Sequence, residues 1–486
     1  MKSTKFILSV LALILFSTFT SFSQQSEKEH YDCFSILVGK NATEDGSVMF
    51  AHNEDDWGER IVNWFKVPAR NHKSGSEITL KNGAGILQSN KTYSYLWLEM
   101  PEMEFSDAYM NEWGVSISSD ACPSKEKKGD ITDGGIGYWL RRAMAERAKT
   151  AREAVLIGGA LIEKYGYTSS GRTYCIAGQT ECWTLAVVKG KHWVAQRVPE
   201  DHVAIIPNYY TITNVDLADS LNFYGSADLI EYAKKKKWFN PDKEVEFNFR
   251  KAYGDPKNLE DMVNLTRHWS AINMLSAEQY EIEDEFPFSF EPKNKVPLTV
   301  LFSILRNHNE GTEYDKSENY TLGNPHEFER TICSNTTQYG FVIQIRNNLP
   351  KEIGTVMWLA PFRPCVHPFT QWYMGITEIP ENFNIGEYRT ALIDHFEPIE
   401  NMRKFAPDHH FLEYVKHAQS VDKTYGRQIK LINSKLLKFE QELIDNQASF
   451  EKRLSEIQSV DPRQSNKMMT DYTEKQLQRS LEMIQK

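Results

Sequence analysis

Short apolar runs separated by turn-rich segments recur along the chain from residue 33 to about residue 360. Cys33–Val38 (CFSILV) and Ser47–Ala51 (SVMFA) are two such runs, and the residues between them, GKNATEDG, favour a turn. Two runs joined in this way predict a β-hairpin. The same pattern predicts further strands at 111–118, at 183–198 on both sides of a turn at 189–191, and at 297–305, 340–346 and 354–359.

Two stretches have helical periodicity instead. Apolar residues recur at helical spacing from about Asp133 to Leu161, and Gly166 ends the pattern, which predicts one long helix. From about residue 407 the chain becomes polar, and apolar residues follow a 3-4-3-4 spacing at Ile429, Ile432, Leu436, Phe439 and Leu443. Asp461-Pro462 separates this stretch from a last helix. We expect these helices to pack across the rest of the chain; a dimerising coiled coil is the alternative.

The first 32 residues have the composition of a segment that is removed on export. Two lysines precede an eleven-residue apolar run, Phe6–Phe16, and serines stand at the cleavage-site positions 21 and 23. We predict a signal peptide at 1–23, a short polar propeptide at 24–32, and a secreted or periplasmic mature protein. The apolar run is shorter than the roughly 18–20 residues of a spanning helix. A retained anchor is the alternative, and no other segment is apolar enough to span a membrane.

Composition narrows the choice of partners. Of the 486 residues 41% are hydrophobic, enough for a large core, and the net charge of -10 arises from interspersed charges of both signs. No basic stripe is present, so we expect no nucleic-acid partner. His409 and His410 are adjacent rather than four positions apart, the acidic residues 54–56 lack the spacing of a calcium loop, and no glycine-rich phosphate motif occurs. We therefore expect no cofactor and no metal ion; a homo-oligomer is compatible with the sequence.

Six cysteines are present, and one of them has a position suited to catalysis. In an oxidising compartment Cys175 and Cys182 could close a short loop, although spacing alone fixes no connectivity. Cys33 opens a predicted strand directly after the short polar segment 24–32. If that segment is removed, the α-amine of Cys33 can act as the base that generates the nucleophilic thiolate. The alternative is an ordinary cysteine buried in a strand.

The motifs that follow Cys33 resemble those of the C69 dipeptidases, the dipeptidase A-like branch of the N-terminal nucleophile hydrolases. The resemblance covers residues 33 to about 445 and is carried by CFS at 33–35, GKNATEDGS at 39–47, AHNEDD at 51–56, NEWGV at 111–115, RAKTARE at 147–153, HWVA at 192–195, RVPED at 197–201, IPN at 206–208, RHW at 267–269 and GIT at 375–377. It implies an α+β fold with a four-layer αββα core at 33–406, followed by the helical extension at 407–486.

The same resemblance implies catalytic roles for four residues. Cys33 is the nucleophile, Asp55 holds its amine, Asn208 faces the oxyanion and Arg267 favours the thiolate. From composition alone, Asp55 could equally belong to a solvated acidic turn, Asn208 to an ordinary turn and Arg267 to a surface helix.

Three neighbouring residues, His52, Asn53 and Glu54, are expected to contact substrate. His52 replaces the arginine that is usual before the asparagine, so a titratable group stands where the family has a permanent charge. The start Cys-Phe-Ser likewise departs from the usual Cys-Thr-Thr or Cys-Thr-Ser.

The activity implied is that of an exported cysteine dipeptidase, which cleaves short peptides through a thioester intermediate. An amidase of non-peptide amides, of the penicillin V or conjugated bile acid type, is one alternative. A secreted binding protein that has lost catalysis is another. The sequence leaves open the preferred dipeptide and whether propeptide removal is autocatalytic.

Overall fold

The computed structural model describes residues 33–56, 60–80, 85–315, 324–327, 330–396 and 406–485. The predicted signal peptide and propeptide therefore lie outside the described residues. Everything described belongs to one compact unit, and the proposed division at residue 406 stays a prediction. Within these residues no helix is both long and apolar enough to cross a membrane.

Antiparallel strands form the centre of the molecule. Their bounds are β1 Phe34–Val38, β2 Val48–Asp55, β3 Asn63–Val67, β4 Arg70–Asn71, β5 Glu77–Thr79, β6 Gly85–Leu87, β7 Lys91–Thr92, β8 Tyr95–Glu99, β9 Ala108–Asn111, β10 Ser116–Ala121, β11 Tyr167–Ala177, β12 Cys182–Gly190, β13 Trp193–Val198, β14 Val203–Ile206, β15 Phe223–Gly225, β16 Thr337–Ile345, β17 Thr355–Pro361 and β18 Thr370–Tyr373. A six-stranded sheet has the order β14-β1-β2-β16-β17-β18, and an eight-stranded sheet has the order β15-β13-β12-β11-β10-β9-β8-β3.

The two sheets stack face to face. Every residue of β1, β2 and β10 is buried, as expected for strands covered on both sides. Side chains of the six-stranded sheet reach the other sheet directly: Ser35 donates to Asp120 over 2.7 Å, and His52 lies 3.1 Å from Ser118. The β1–β2 hairpin is confirmed, with Ser35 opposite His52.

Helices cover the outer face of each sheet. Their bounds are α1 Trp139–Arg147, α2 Ala151–Tyr165, α3 Leu229–Lys235, α4 Phe249–Tyr253, α5 Pro256–Leu259, α6 Met262–Leu275, α7 Leu298–Leu305, α8 Lys351–Gly354, α9 Tyr388–Asp394, α10 His410–Asp422, α11 Tyr425–Gln458 and α12 Pro462–Gln485. Helices α1 and α2 pack on the eight-stranded sheet, while α6, α7 and α12 pack on the six-stranded one. The layers are thus helix, sheet, sheet and helix, which confirms the predicted αββα architecture and its helical C-terminal part.

Two predicted elements differ from the structure. The single helix expected from Asp133 is two helices, because Ala148 is extended at their junction and Thr150 caps α2 by accepting from the Glu153 amide. The amide side chain of Asn111 donates to the carbonyls of Ala145 and Ala148 there, at 2.8 Å each. The strand expected at 297–305 is helix α7 instead. Its short apolar run LTVLFSIL does not by itself distinguish a buried strand from a buried helix.

The C-terminal helices pack on the core, as predicted. Leu436, Phe439 and Leu443 of the apolar stripe on α11 are buried, while Ile429 and Ile432 pack against the core with partial burial. The six cysteines are all described, and all are free thiols. The possible Cys175–Cys182 bridge is therefore not formed.

Candidate active site

Cys33 immediately precedes β1 and is 2% exposed. Its thiol donates a hydrogen bond to Oε1 of Glu54 over 3.0 Å. Its backbone carbonyl accepts a hydrogen bond from Nη1 of Arg267 over 3.3 Å. Two ionisable side chains, Glu54 of β2 and Arg267 of α6, therefore contact the residue predicted to be the nucleophile.

Arg267 joins Cys33 to Asn208. It lies on α6, where Nη2 donates to Oδ1 of Asn208 over 2.8 Å and to Oδ1 of Asn264 over 2.7 Å. Asn208 follows β14, the neighbour of β1, and its amide donates to the carbonyl of Ala121 over 3.1 Å. All three of these predicted catalytic residues are buried. The fold thus brings Cys33, Arg267 and Asn208 together, and Arg267 is not a surface residue.

Alternation along β2 separates Glu54 from Asp55. The Asp55 carboxylate accepts hydrogen bonds from Thr337 over 2.5 Å and from Ser334 over 3.0 Å. Its second oxygen, Oδ2, is buried and has no hydrogen-bond partner among the described residues. The carboxylate that contacts the thiol is therefore that of Glu54, whereas Asp55 approaches Cys33 through its backbone carbonyl, 3.8 Å from the sulfur.

Asn53 points to the same side of β2 as Asp55. Its amide donates to the carbonyls of Leu305 and Ile332, over 2.9 and 2.8 Å. Gly340 stands opposite on β16, and a Cβ there would lie 2.6 Å from the Asn53 side-chain oxygen. These contacts fix the strand to the helix layer; contact of Asn53 with substrate stays a prediction.

His52 lies between the two sheets and is fully buried. Nδ1 lies 2.7 Å from the Ser35 hydroxyl, and Nε2 lies 3.1 Å from both the Glu54 carboxylate and the Ser118 hydroxyl. Burial lowers the pKa of His52 to about 4, although Asp120 opposes the shift. A neutral imidazole therefore contacts and positions Glu54.

Sequence reasoning missed several polar residues that face this site from the eight-stranded sheet. Asp120 accepts from Ser35, and Arg172, which also lies near Cys33, acts on the thiol through its charge. The available signal was the sequence SISSDA of β10, which places Ser116, Ser118 and Asp120 on one face of a strand. Polar residues on a buried strand face are unusual unless they line a site.

Burial dominates the electrostatics of the site. It raises the pKa of the Cys33 thiol well above its ordinary value, and Glu54 and Asp120 add to this effect. Burial likewise raises the pKa of Glu54 to about 8, of Asp55 to about 7 and of Asp120 to about 6. In the chain as described, the thiol and the Glu54 carboxyl therefore keep their protons at neutral pH. Activation of Cys33 requires a further base.

The ligand atoms of Cys33, His52 and Glu54 lie within 4.8 Å of one another and could hold a metal ion. The Cys33 thiol donates to one oxygen of Glu54 and Nε2 of His52 lies 3.1 Å from the other, and these two contacts account for the same proximity. The expectation that no metal takes part in catalysis stays a prediction.

The curated relatives that this chain resembles include several proteins named as dipeptidases. A probable dipeptidase of Latilactobacillus sakei is 28% identical over 369 residues, covering 72% of this chain and 76% of that protein. A probable dipeptidase A of Streptococcus pyogenes serotype M1 is 25% identical over 479 residues, covering 94% and 96%. Among solved structures, penicillin V acylase from Agrobacterium tumefaciens covers 70% of this chain and 86% of its own, with 12% identity and a TM-score of 0.35. That superposition is too poor to support any conclusion about substrate.

The sequence model of peptidase family C69 matches residues 32–424, which is most of the chain and includes every residue of the site described above. This protein therefore belongs to peptidase family C69 and is a hydrolase.

Proposed function

We propose that this chain is an exported dipeptidase whose nucleophile is Cys33, after removal of residues 1–32. The observation that carries the proposal is the contact of Arg267 with both the Cys33 carbonyl and the Asn208 side chain. A nucleophile, a cation and an amide donor meet at the start of β1. Acyl transfer needs such groups around a reacting carbonyl.

The α-amine formed at Cys33 is the proposed base. Such an amine titrates at roughly 7.7–8.0, so part of it is neutral at physiological pH. The unpartnered Oδ2 of Asp55 is a suitable acceptor for its hydrogen bond. An internal Cys33 has no such amine, and its thiol is held protonated by burial and by Glu54. Processing and activation are therefore the same event in this proposal.

The reaction follows from these groups. The amine takes the proton from Sγ, and the thiolate attacks the peptide carbonyl carbon. Asn208 donates to the resulting oxyanion, for which its amide nitrogen has a second hydrogen besides the one given to Ala121. The protonated amine then gives its proton to the leaving amine, and a thioester remains. Water, deprotonated by the same amine, cleaves the thioester and restores the thiol.

The proposed substrate is a dipeptide with a free α-ammonium group. The curated relatives that are named as dipeptidases support this class. Glu54 is the carboxylate next to the nucleophile, and an ammonium beside it would lower its pKa from about 8 and keep it ionised. A buried ammonium requires such a partner.

Intact mass of the purified active protein tests maturation. We expect a chain that begins at Cys33, and active protein that still begins at residue 24 would overturn the mechanism. Cys33→Ala should abolish turnover. Cys182→Ala serves as the control, because this thiol is equally buried but lies outside the site. Recovery of the mature form from a periplasmic extract or the culture medium tests export.

A panel of amides tests the substrate class. Unblocked dipeptides should be cleaved, and their N-acetylated forms should not. Penicillin V and a glycine-conjugated bile acid represent the alternative amidase, which would prefer a blocked amide. If a blocked amide is the better substrate, the dipeptidase assignment fails while the Cys33 chemistry stands. Mature protein that starts at Cys33 and cleaves nothing in the panel would favour a binding protein.

A further inference from the structure

Four side chains that the proposed reaction does not use meet on the outer side of the six-stranded sheet. They are His308, His326, Cys333 and Cys365, all buried, and their ligand atoms lie within 4.8 Å of one another. His308 follows α7, His326 lies in a single 3-10 turn at Pro325–Glu327, Cys333 precedes β16 and Cys365 lies between β17 and β18. Four separate segments of the chain thus converge on one point.

Two distances within this cluster suit a tetrahedral metal centre. Nε2 of His308 lies 3.3 Å from Nε2 of His326, which lies 3.6 Å from Sγ of Cys365. Zinc binds imidazole nitrogen at about 2.0–2.1 Å and thiolate sulfur at about 2.3 Å in a tetrahedron. Tetrahedral angles then require about 3.3–3.4 Å between two nitrogens and about 3.6 Å between nitrogen and sulfur. Both observed separations agree with these values.

Carboxylates orient both imidazoles. Nδ1 of His308 lies 3.0 Å from the Glu310 carboxylate, and Nδ1 of His326 lies 3.0 Å from that of Asp422. A neutral imidazole that donates from Nδ1 has its lone pair on Nε2. The two Nε2 atoms lie 3.3 Å apart, and both face the point where the two cysteines converge. Carboxylate-bound histidines of this kind are the usual ligands of protein zinc sites.

We propose that His308, His326, Cys333 and Cys365 bind one Zn²⁺ ion. Two thiols and two imidazoles favour zinc over magnesium or calcium, which prefer oxygen ligands. Both thiols give up their protons on binding, so the site binds more weakly at low pH. With four protein ligands, the ion has a structural rather than a catalytic role.

The site would hold the helical C-terminal part and the catalytic layer together. Asp422, which orients His326, ends α10 and also pairs with Arg363. On the other side, the carbonyl of Ile332 accepts from Asn53, and the hydroxyl of Ser334 donates to Asp55. Cys333 stands between these two residues. A metal bound by Cys333 therefore fixes the segment that supports Asp55. Zinc binding at this cluster would be independent of the role of Cys33.

An entry path for the ion is available. A cavity of about 640 Å³ is lined by Glu310, Cys365 and Tyr425 together with residues of α6 and α11. It gives solvent access to one edge of the cluster. Glu310, the Nδ1 partner of His308, and Cys365 both line this cavity, so an ion that enters it meets one residue of the cluster.

Elemental analysis of the purified wild-type protein is the direct test. We expect one zinc per chain after dialysis against metal-free buffer. Replacement by Co²⁺ should give the sulfur-to-cobalt charge-transfer band and the intense visible bands of a tetrahedral thiolate site. Chelation should lower the unfolding temperature and make two further thiols reactive. Absence of bound zinc, both as purified and after incubation with Zn²⁺ under reducing conditions, would overturn the proposal.

Variants locate the ion. Cys333→Ala and Cys365→Ala should each lose the zinc, whereas Cys182→Ala, a buried thiol outside the cluster, should keep it. Asp422→Asn removes the carboxylate that orients His326, together with its ion pair to Arg363, and should weaken zinc binding by roughly 10–100-fold. The two cysteines could also be joined to each other, which peptide mapping detects. A Cys333–Cys365 disulfide in the active exported protein would contradict the proposal. So would zinc retained by both cysteine variants.

Discussion

The thiol of Cys33 lies 3.0 Å from a carboxylate oxygen of Glu54, and both side chains are buried. A carboxylate at this place opposes ionisation of the thiol, and burial opposes ionisation of both groups. Cys33 is therefore held with a protonated, weakly nucleophilic thiol. Positive charge beside Glu54, on the proposed α-amine or on the proposed substrate, would oppose this effect.

The buried carboxyl groups predict a dependence of stability on pH. The pKa of Glu54 is raised to about 8 in the folded chain, so between its ordinary pKa and pH 8 the folded state binds more protons than the unfolded state. Stability must then fall as pH rises through this window. Asp55 and Asp120 are shifted in the same direction.

Denaturant unfolding between pH 5 and pH 8 measures this effect in a Cys33→Ala background, which removes the thiol that contacts Glu54. Adding Glu54→Gln should make the fall of the unfolding free energy with rising pH less steep. Glu231→Gln is the control, because that side chain is 73% exposed. If the unfolding free energy falls equally steeply with pH in the presence and absence of Glu54, the raised pKa of the Glu54 carboxyl is contradicted.

Asn208 is predicted to stabilise the transition state. Removing one oxyanion donor typically lowers kcat by ~10²–10³-fold, or roughly 2.7–4 kcal/mol. Asn208→Ala should show a loss of this size with little change in KM. Asn214→Ala is a suitable control, since its side chain bonds Glu246 at the surface instead. A change confined to KM would assign Asn208 to substrate binding.

Asp55→Asn tests the proposed hydrogen bond from the Cys33 α-amine to the Asp55 carboxylate. Asparagine keeps the oxygen that accepts from Ser334 and Thr337, so the strand contact survives. It replaces Oδ2 with a donor, which cannot accept a hydrogen bond from the amine. We expect a large loss of kcat in protein that already begins at Cys33, and an acidic limb of the pH–rate profile that is displaced. An unchanged profile would remove Asp55 from the mechanism.

The local pattern of the sequence was sufficient for much of the fold. The β1–β2 hairpin, the strands near 340–346 and 354–359 and the C-terminal helices follow from runs of apolar residues and turns, as the structure confirms. Helix α7 does not, because an eight-residue apolar run suits either kind of element. The break at Ala148 depends on the side chain of Asn111, which is remote in sequence.

Alternation along β2 was predictable, but its consequence for the site was not. It puts Glu54 and Asp55 on opposite faces, yet only the stacking of the two sheets decides which face meets Cys33. The cysteine–histidine cluster escaped the sequence analysis for a similar reason. His308 and His326 are 18 positions apart and Cys365 is 39 further on, so no short ligand motif exists. Tertiary structure alone unites these residues.

Helix α11 is attached to the core by a nearly buried ion pair between Arg346 and Glu451. Arg346, which follows β16, binds the Glu451 carboxylate with both terminal nitrogens, at 2.5 and 2.6 Å, and the pair is nearly buried. Tyr373 of β18 donates to the same carboxylate over 3.2 Å. Glu451→Gln leaves the Arg346 guanidinium without its counter-charge, and loss of one partner of a buried pair costs about 3–5 kcal/mol.

Urea unfolding of Glu451→Gln, followed by helical circular dichroism, should therefore show a loss of that size. Asp471→Asn breaks an ion pair with Lys467 on α12 in which both side chains are more than half exposed, so its effect should stay within about 1 kcal/mol. The loss should not depend on protein concentration, because the contact lies within one chain. A midpoint that rises with protein concentration, or a Glu451→Gln effect no larger than that of Asp471→Asn, would instead favour a dimeric role for α11.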